Sequence, residues 1–393
     1  ILPPADAVVD PRQEGCEYPF KGLCGAAVAY KLVEALCEAN GQDVADLDYL
    51  LENVAIATVA DVMDLTEENR ILVKQGLEML KRTSNLGLRA LIQCIGLEGK
   101  KIQAYHIGFI LAPCLNASGK LDTAKRALAL LRAKTGREAD MLAGDLKALN
   151  ESRRDMTDRV VDEAMAKVEQ TDIREDKVLV IYLPDCHESL AGLVAGRVRE
   201  NYYRPVFVLT DSEDGVKGSG RSIESYSMYE ELTGCGDLLT KFGGHPMAAG
   251  LSLDKENVEK LKRRLNDQCT LSEEELTEKV VIDMELPFAA ITEQFIEELE
   301  YLEPFGKGNT KPVFAARGVV MQHVKIIGKN KNVAKATAID AAGNRMEAIC
   351  FHDAQEFAER CEKNNGKMSI TFYPGINEFR GERQIQIVIT HYR

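Results

Sequence analysis

The 393-residue chain has no tryptophan, no C-x-x-C cysteine pair, no adjacent or i, i+4 histidines and no apolar run long enough to cross a bilayer. Each absence excludes something. Ten cysteines at 16, 24, 37, 94, 114, 186, 235, 269, 350 and 361, none spaced C-x-x-C, argue against a zinc ribbon or a disulfide framework and read as buried thiols in a reducing compartment. The six histidines, His106, His187, His245, His323, His352 and His391, supply no local metal pair. Nothing approaches the roughly 20 apolar residues of a membrane helix and no signal peptide is visible, so a cytoplasmic address is the default. Internal repeats and low-complexity tracts are also missing. So is an initiator methionine: Ile1-Leu2-Pro3-Pro4 leads into what reads as a buried strand, as if the chain starts inside a domain.

What is present is enough chain for two or three ordinary domains. The formal charge of -13 weighs against general nucleic-acid binding, because phosphate contacts need positive potential. That potential is needed only locally. Lys307, Lys311, Arg317, Lys325, Lys329, Lys331 and Lys335 form a seven-residue basic set with no acid between them. The segment is either a solvated face or a binding surface.

Short apolar runs at residues 7–9 and Val54 to Val59 read as strands, with helices at Gly25 to Leu36 and about Glu67 to Leu80. That alternation predicts a mostly parallel sheet in the first domain. Helical, polar sequence follows from about Thr123 to Glu169, broken near Thr135-Gly136. A second α/β unit runs from a strand at Val178 to Tyr182, through a helix at Leu190 to Glu200 and a strand at Pro205 to Leu209, to a helix at about Lys255 to Leu265. From Val280 the texture changes to six short alternating segments: Val280 to Met284, Val313 to Val320, Val333 to Ile339, Met346 to Phe351, Met368 to Tyr373 and Gln384 to Thr390. A small β-barrel of the OB type is the natural product. The expected division is 1–135, 136–172, 173–268 and 279–393.

Asp61 closes the Val54 to Val59 run. At the carboxyl end of a parallel strand it would face the crevice where such sheets bind ligands, and its carboxylate suits a divalent cation; capping the following helix is the plainer role. Lys217-Gly218-Ser219-Gly220-Arg221-Ser222 combines bare backbone, hydroxyls and a guanidinium fork, the chemistry of an anion cradle, or is a turn between strands. Phe242-Gly243-Gly244-His245-Pro246 precedes a small-residue stretch to Gly250 that reads as a helix start, where free amides favour a phosphate. His245 then adds a hydrogen bond or a proton, or is a turn histidine.

Taken in order, these segments resemble the DHH phosphoesterase superfamily, and within it the RecJ-type exonucleases. Thr58-Val59-Ala60-Asp61-Val62-Met63 resembles that superfamily's later aspartate motif, and Leu115-Asn116-Ala117-Ser118-Gly119-Lys120-Leu121 a RecJ motif that usually ends in arginine. Ser219 to Ser222 and Gly243-Gly244-His245 are similar to the hallmarks of a DHHA1 domain, while His187 stands where that domain usually has a Trp-His pair. Glu303-Pro304-Phe305-Gly306-Lys307-Gly308-Asn309 resembles the RecJ linker into its OB-fold.

The resemblance implies an α/β chain: a partial DHH parallel-sheet domain, long connecting helices, a DHHA1 domain and an OB-fold barrel. It implies 5′ to 3′ hydrolysis of single-stranded DNA assisted by Mn2+ or Mg2+ in a two-metal site. Asp61 would be a metal ligand. Lys120, Ser219, Arg221, Ser222, Gly243 and Gly244 would bind substrate phosphate, with His245 beside the scissile group. Lys325, Lys329, Lys331 and Lys335 would bind DNA, with Phe314, Phe351, Tyr373 and Phe379 as candidate stacking rings, most of them expected in the core. A single-strand-binding protein or a helicase would be the protein partner, the state monomeric, and the setting DNA repair and recombination. The family's Asp-x-Asp and Asp-His-His motifs are absent and expected ahead of Ile1, so this polypeptide is expected to bind DNA and hydrolyse it weakly or not at all. Two other readings stand beside this one: a phosphodiesterase of short oligonucleotides or cyclic dinucleotides, and a catalytically silent DNA-binding scaffold.

Overall fold

The computed structural model describes residues 4–121, 124–328, 330–351, 353–379 and 381–393, with backbone alone for Lys120, Leu121 and Phe379. The chain divides into two compact units, one of residues 1–84, 97–112 and 280–393, the other of 85–96 and 113–279. Residues 1–135, expected as one domain, contribute to both.

The first unit opens with helices α1 (Gly25–Ala39), α2 (Leu51–Ala60) and α3 (Glu67–Leu80) around a core that includes Leu23, Tyr30, Leu51, Val54 and Leu72. No strand lies among the described residues before Leu179. The parallel sheet expected here is therefore corrected to a helical region. Val54 to Val59 is the interior of α2, where Leu51, Glu52, Val54, Ala55, Ile56 and Thr58 are all buried. A short run buried nearly all round carries no period, and β-branched residues tilt the reading toward a strand. Helices α4 (Leu86–Cys94), α5 (Ala104–His106), α6 (Ala112–Leu121), α7 (Lys125–Leu131) and the 35-residue α8 (Gly136–Gln170) follow, with a π-turn at Ile107–Leu111 between α5 and α6. The expected break is a helix start: the Thr135 side chain accepts from Glu138 N–H at 3.2 Å.

The second unit's sheet has the order β1-β2-β3-β5-β4, built from β1 (Leu179–Tyr182), β2 (Val206–Ser212), β3 (Gly215–Arg221), β4 (Lys241–His245) and β5 (Ala248–Leu253). β1 and β2 are parallel across α9 (Glu188–Tyr202); the remaining pairs are antiparallel. Alternation explains the layering. Val206 and Val208 pack with α8 and α9 residues, whereas Phe207 and Leu209 pack with the side that carries α10 (Met228–Thr233) and α11 (Val258–Gln268). With both faces covered, β2 is wholly buried from Val206 to Thr210.

The C-terminal part of the first unit is a barrel. β7 (Phe314–Ile327), β8 (Val333–Ile339), β9 (Arg345–Cys350), β11 (Glu382–Tyr392) and β10 (Lys367–Phe379) pair in that order, and β10 returns to β7; the two-residue β6 (Met284–Glu285) adds to β7. Helices α12 (Glu293–Glu300) and α13 (Ala354–Lys363) complete its core with Ile296, Leu299, Phe357 and Cys361. Closure leaves few free edges, the usual solution for a small all-β module. The strand expected at Val280 to Met284 shrinks to Met284–Glu285, and the two helices had no counterpart in the sequence reading.

Candidate nucleic-acid interface

The glycine-rich stretch Lys217 to Arg221 is strand β3, not a turn. Its alternation has period two: Lys217, Ser219 and Arg221 share one face, and Gly218 and Gly220 share the other. On the glycine face a Cβ at Gly220 would stand 2.7 Å from the Phe207 ring, and one at Gly218 2.3 Å from Leu209 Cδ2. The missing side chains admit the core of the sheet. Opposite, the polar residues meet α9. A Cβ at Gly192 would lie 2.7 Å from Arg221 Nη2 and 2.9 Å from Ser219 Oγ, so this helix glycine is a notch that receives both. Arg221 Nη1 donates to Gly220 O at 2.7 Å and Ser219 Oγ at 3.2 Å. Burial, reinforced by nearby Arg199, presses its pKa downward. No carboxylate among the described residues pairs with Arg221, whose partly buried charge is costly to hold unpaired.

The Gly243-Gly244-His245 segment lies in edge strand β4 and turns back into β5. The helix expected after Met247 is corrected to a hairpin, which withdraws the helix-terminus argument for phosphate there. Gly244, at φ +151, leaves only 2.4 Å between a hypothetical Cβ and Ala248 O. Register then aligns the candidates. Lys241, Ser252 and Lys217 form one row across β4, β5 and β3; Gly243, Gly250 and Ser219 form the next; His245, Ala248 and Arg221 the third. Residues paired across strands share a face, and neighbouring strands lie about 4.8 Å apart. The first two rows floor a groove of about 440 Å³ lined by Glu188, Lys217, Ser219, Lys241, Gly243 and Gly250, while the third row, with Arg221 and His245, lies beside that groove and not in its lining. Lys217 is tethered to Glu188 at 2.9 Å. His187 caps α9, its Nδ1 accepting from Ser189 N–H at 3.2 Å.

Two expected phosphate ligands fall differently. Ser222 is buried, and its hydroxyl donates to Tyr226 O at 2.6 Å, which removes it from the groove. The Lys120 side chain lies outside the described residues.

In the other unit, Asp61 is exposed and ends α2 rather than closing a strand or capping the next helix. Val62 N–H donates to Val59 O and Met63 N–H to Thr58 O, both at 3.1 Å. This is the paired-bond ending normally completed by glycine; here Val62 occupies the left-handed position at φ 54. Among the described residues no group of three or more His, Cys, Asp or Glu converges. Asp61 therefore belongs to no such group among the described residues.

The basic segment is less unopposed than its sequence. Lys307 pairs with Asp64 at 3.0 Å, Lys335 with Glu347 at 2.8 Å, and Arg317 with Glu285. Lys325 and Lys331 are exposed and carry no ion pair with any described residue. Lys329 lies outside the described residues. Of the rings, Phe314 is core; Tyr373 is part-buried beneath Lys311, its hydroxyl pushed up to about 12 by burial and by Glu303 and Glu300; Phe351 is 51% exposed. The Phe379 side chain lies outside the described residues.

Gly192, Lys241 and Arg199 escaped the sequence reading. The Ala-Gly pairs at 191–192 and 195–196, four apart on one helix face, were the available signal for close approach.

Residues 175–271 match the DHHA1 domain and residues 282–391 the RecJ OB domain. The chain is 37% identical over 393 residues to the single-stranded-DNA-specific exonuclease RecJ of Bacillus subtilis, covering 99% of this chain and 49% of that protein. To the RecJ of Salmonella typhimurium it is 33% identical over 410 residues, covering 99% and 70%. Crystal structures of Thermus thermophilus RecJ with Mg2+ and with Mn2+ superpose with a TM-score of 0.79 at 26% and 27% identity, covering 96% of this chain and 57% and 54% of those. The chain spans about half the length of the Bacillus subtilis relative.

Proposed function

The chain belongs to the RecJ family of single-stranded-DNA-specific exonucleases, and from that premise we propose that it carries the substrate-gripping part of a nuclease acting 5′ to 3′ on single-stranded DNA. The observation that carries this reading is the row His245, Ala248 and Arg221 beside the row Gly243, Gly250 and Ser219. Bare backbone lets a phosphate approach, Ser219 offers a hydroxyl, and Arg221 offers a planar fork whose charge no carboxylate among the described residues pairs. The 5′ phosphate belongs at Arg221 and Ser219, with Lys120 a further contact. His245, exposed on the edge strand, is suited to donate a hydrogen bond or proton to the phosphate beside it.

The barrel feeds the strand, with Lys325 and Lys331 on phosphates and Phe351, 51% exposed, as a ring open to stacking. The divisions 173–268 and 279–393 are proposed as the two functional modules. Mg2+ or Mn2+, present in the Thermus thermophilus structures, would supply charge neutralisation and an activated water in this chemistry. Asp61 is the residue here suited to be one ligand. Since one carboxylate does not make a two-metal centre, we expect this polypeptide alone to bind single strands and to release nucleotides slowly.

The RecJ OB match at 282–391 favours long strands over the dinucleotide alternative, which has no use for a barrel. Binding of a dinucleotide and of a long single strand by the full chain, each with Mn2+, tests this. At least tenfold preference for the long strand is expected; equal affinity favours the short-substrate enzyme. Release of 5′ nucleotides at a rate matching the longer relatives would refute the expectation of slow hydrolysis. Strand binding with no effect of Ser219→Ala, Arg221→Ala or His245→Ala would favour the silent scaffold.

A further inference from the structure

The loop Glu303 to Asn309, expected only to lead into the barrel, is fastened on two sides within one compact unit. Toward the barrel, Phe305 meets Tyr373 of β10 edge-on, ring centres 6.2 Å apart, and Lys311 Nζ stands 4.8 Å from the Tyr373 ring centre. Toward the helices, Lys307 O accepts the Leu65 N–H at 2.7 Å, and Lys307 Nζ is 3.0 Å from Asp64 Oδ1. The loop also closes on itself. Gly306 and Asn309 exchange backbone hydrogen bonds of 2.9 and 3.1 Å, and Asn309 Nδ2 donates to Leu302 O and Pro304 O. Gly308 has φ +75, and a Cβ there would stand 3.1 Å from Asp64 Cβ and 3.2 Å from Thr66 Cγ2.

What the loop grips is strained. Val62, next to Asp61, is β-branched and sits at φ 54, a conformation that costs such a residue far more than glycine. Strain of this kind persists only where the surroundings over-determine it. Three bonds come from α2 itself, Ala57 O, Val59 O and Thr58 O accepting from Asp61, Val62 and Met63; another comes from the fully buried Asn69, whose amide donates to Asp64 O at 3.1 Å. The Lys307 carbonyl supplies a fifth, from a segment more than 200 residues later in sequence.

We propose that the Glu303 to Asn309 loop is a positioning element for Asp61. It holds the strained Asp61 to Thr66 turn from outside, so the direction of the Asp61 carboxylate is set by a loop that is itself anchored on barrel strand β10. Lys307 and Gly308 are positioning residues, touching Asp64 and Leu65 rather than any reacting group. The inference rests on the reading of Asp61 as a functional carboxylate and ties that carboxylate to the module that handles the strand.

A matched pair of glycines tests it. Gly343, in the β8–β9 turn, has φ +87 and no atom within 4 Å of a hypothetical Cβ. Gly343→Ala therefore introduces backbone strain alone, whereas Gly308→Ala introduces the same strain and a push on Asp64. The readouts, in the full chain, are the exchange rate of the Leu65 amide and the carboxyl carbon resonance of Asp61. Gly308→Ala is expected to speed Leu65 exchange at least tenfold and shift the Asp61 signal; Gly343→Ala leaves both at wild type even if its melting temperature falls equally. Wild-type values for both in Gly308→Ala overturn the proposal. Should that variant not fold, Lys307→Ala removes only the ion pair with Asp64 and is expected to shift the Asp61 signal; an unmoved signal overturns it too. The premise is tested apart by titrating Mn2+ alone. Broadening of the amides of residues 61–64 that Asp61→Asn abolishes supports the premise, and broadening that survives Asp61→Asn overturns it, whatever the exchange data say of the grip.

Discussion

Arg221 and Val62 are both held in states an isolated residue avoids. Arg221 keeps its charge half-buried beside Arg199 with no carboxylate partner among the described residues, and Val62 occupies a left-handed conformation at the end of α2. Unfavourable states concentrate where a protein needs a particular group in a particular place. For Val62 this has a thermodynamic consequence. A left-handed conformation costs an L-residue roughly 1–2 kcal/mol, which glycine avoids at some cost in chain entropy. Val62→Gly is therefore expected to raise stability by about 0.5–1 kcal/mol, since the side chain is 62% exposed and little packing is lost. Denaturant unfolding measures it; a destabilisation of the same size would mean that Val62 packs where it looks free.

At the scale of elements, α9 shows how a helix can serve a strand. Replacing an interior helix glycine by alanine ordinarily stabilises by about 1 kcal/mol. At position 192 the new methyl would meet the flexible end of Arg221, 2.7 Å from Nη2. Gly192→Ala is therefore expected to leave the melting temperature unchanged or raised while weakening single-strand affinity several-fold, checked by thermal melts and titration of one oligonucleotide. Unchanged affinity would mean that Arg221 works equally well displaced.

Legibility in the sequence followed the strength of each local signal. The span of α3 and that of β8 were readable because an amphipathic period and a strict alternation each spoke alone, whereas the break read near Thr135-Gly136 is the capped start of α8. Val54 to Val59 misled because a run buried nearly all round has no period. The residues of the groove and of the row beside it were readable by type, since glycine, hydroxyl and guanidinium announce anion chemistry in any fold. Their alignment was not: the pairings of Ser219 with Gly250 and of Gly250 with Gly243 are properties of strand register, and glycine-rich strands carry little hydrophobic pattern to fix it. The loop at Glu303 looked like a linker because its partners, Asp64 and Leu65, lie far away in sequence.

For the whole molecule, charge is distributed rather than simply negative. The acidic total of -13 coexists with local cations on the barrel, because Lys307, Arg317 and Lys335 are paired with carboxylates while Lys325 and Lys331 form no ion pair among the described residues. Removing Lys325 and Lys331 together should reduce the slope of log affinity against log salt by about 1.4, at roughly 0.7 per phosphate contact on a single strand. Lys335→Ala, whose charge is matched by Glu347, should change the slope by much less. Equal effects from both would mean that the ion pair opens on binding.

The grip proposed for Arg221 on the terminal phosphate of a single strand is checked by the affinity of the full chain for one oligonucleotide carrying either a 5′ phosphate or a 5′ hydroxyl, measured for wild type, Arg221→Lys and Arg221→Ala. Hydrogen bonds to a charged group contribute about 1.5–3 kcal/mol, so wild type should prefer the phosphate by roughly tenfold or more. Arg221→Lys should keep part of that preference and Arg221→Ala only the smaller remainder that Ser219 and Lys120 supply. A preference that survives intact in Arg221→Ala would contradict the account.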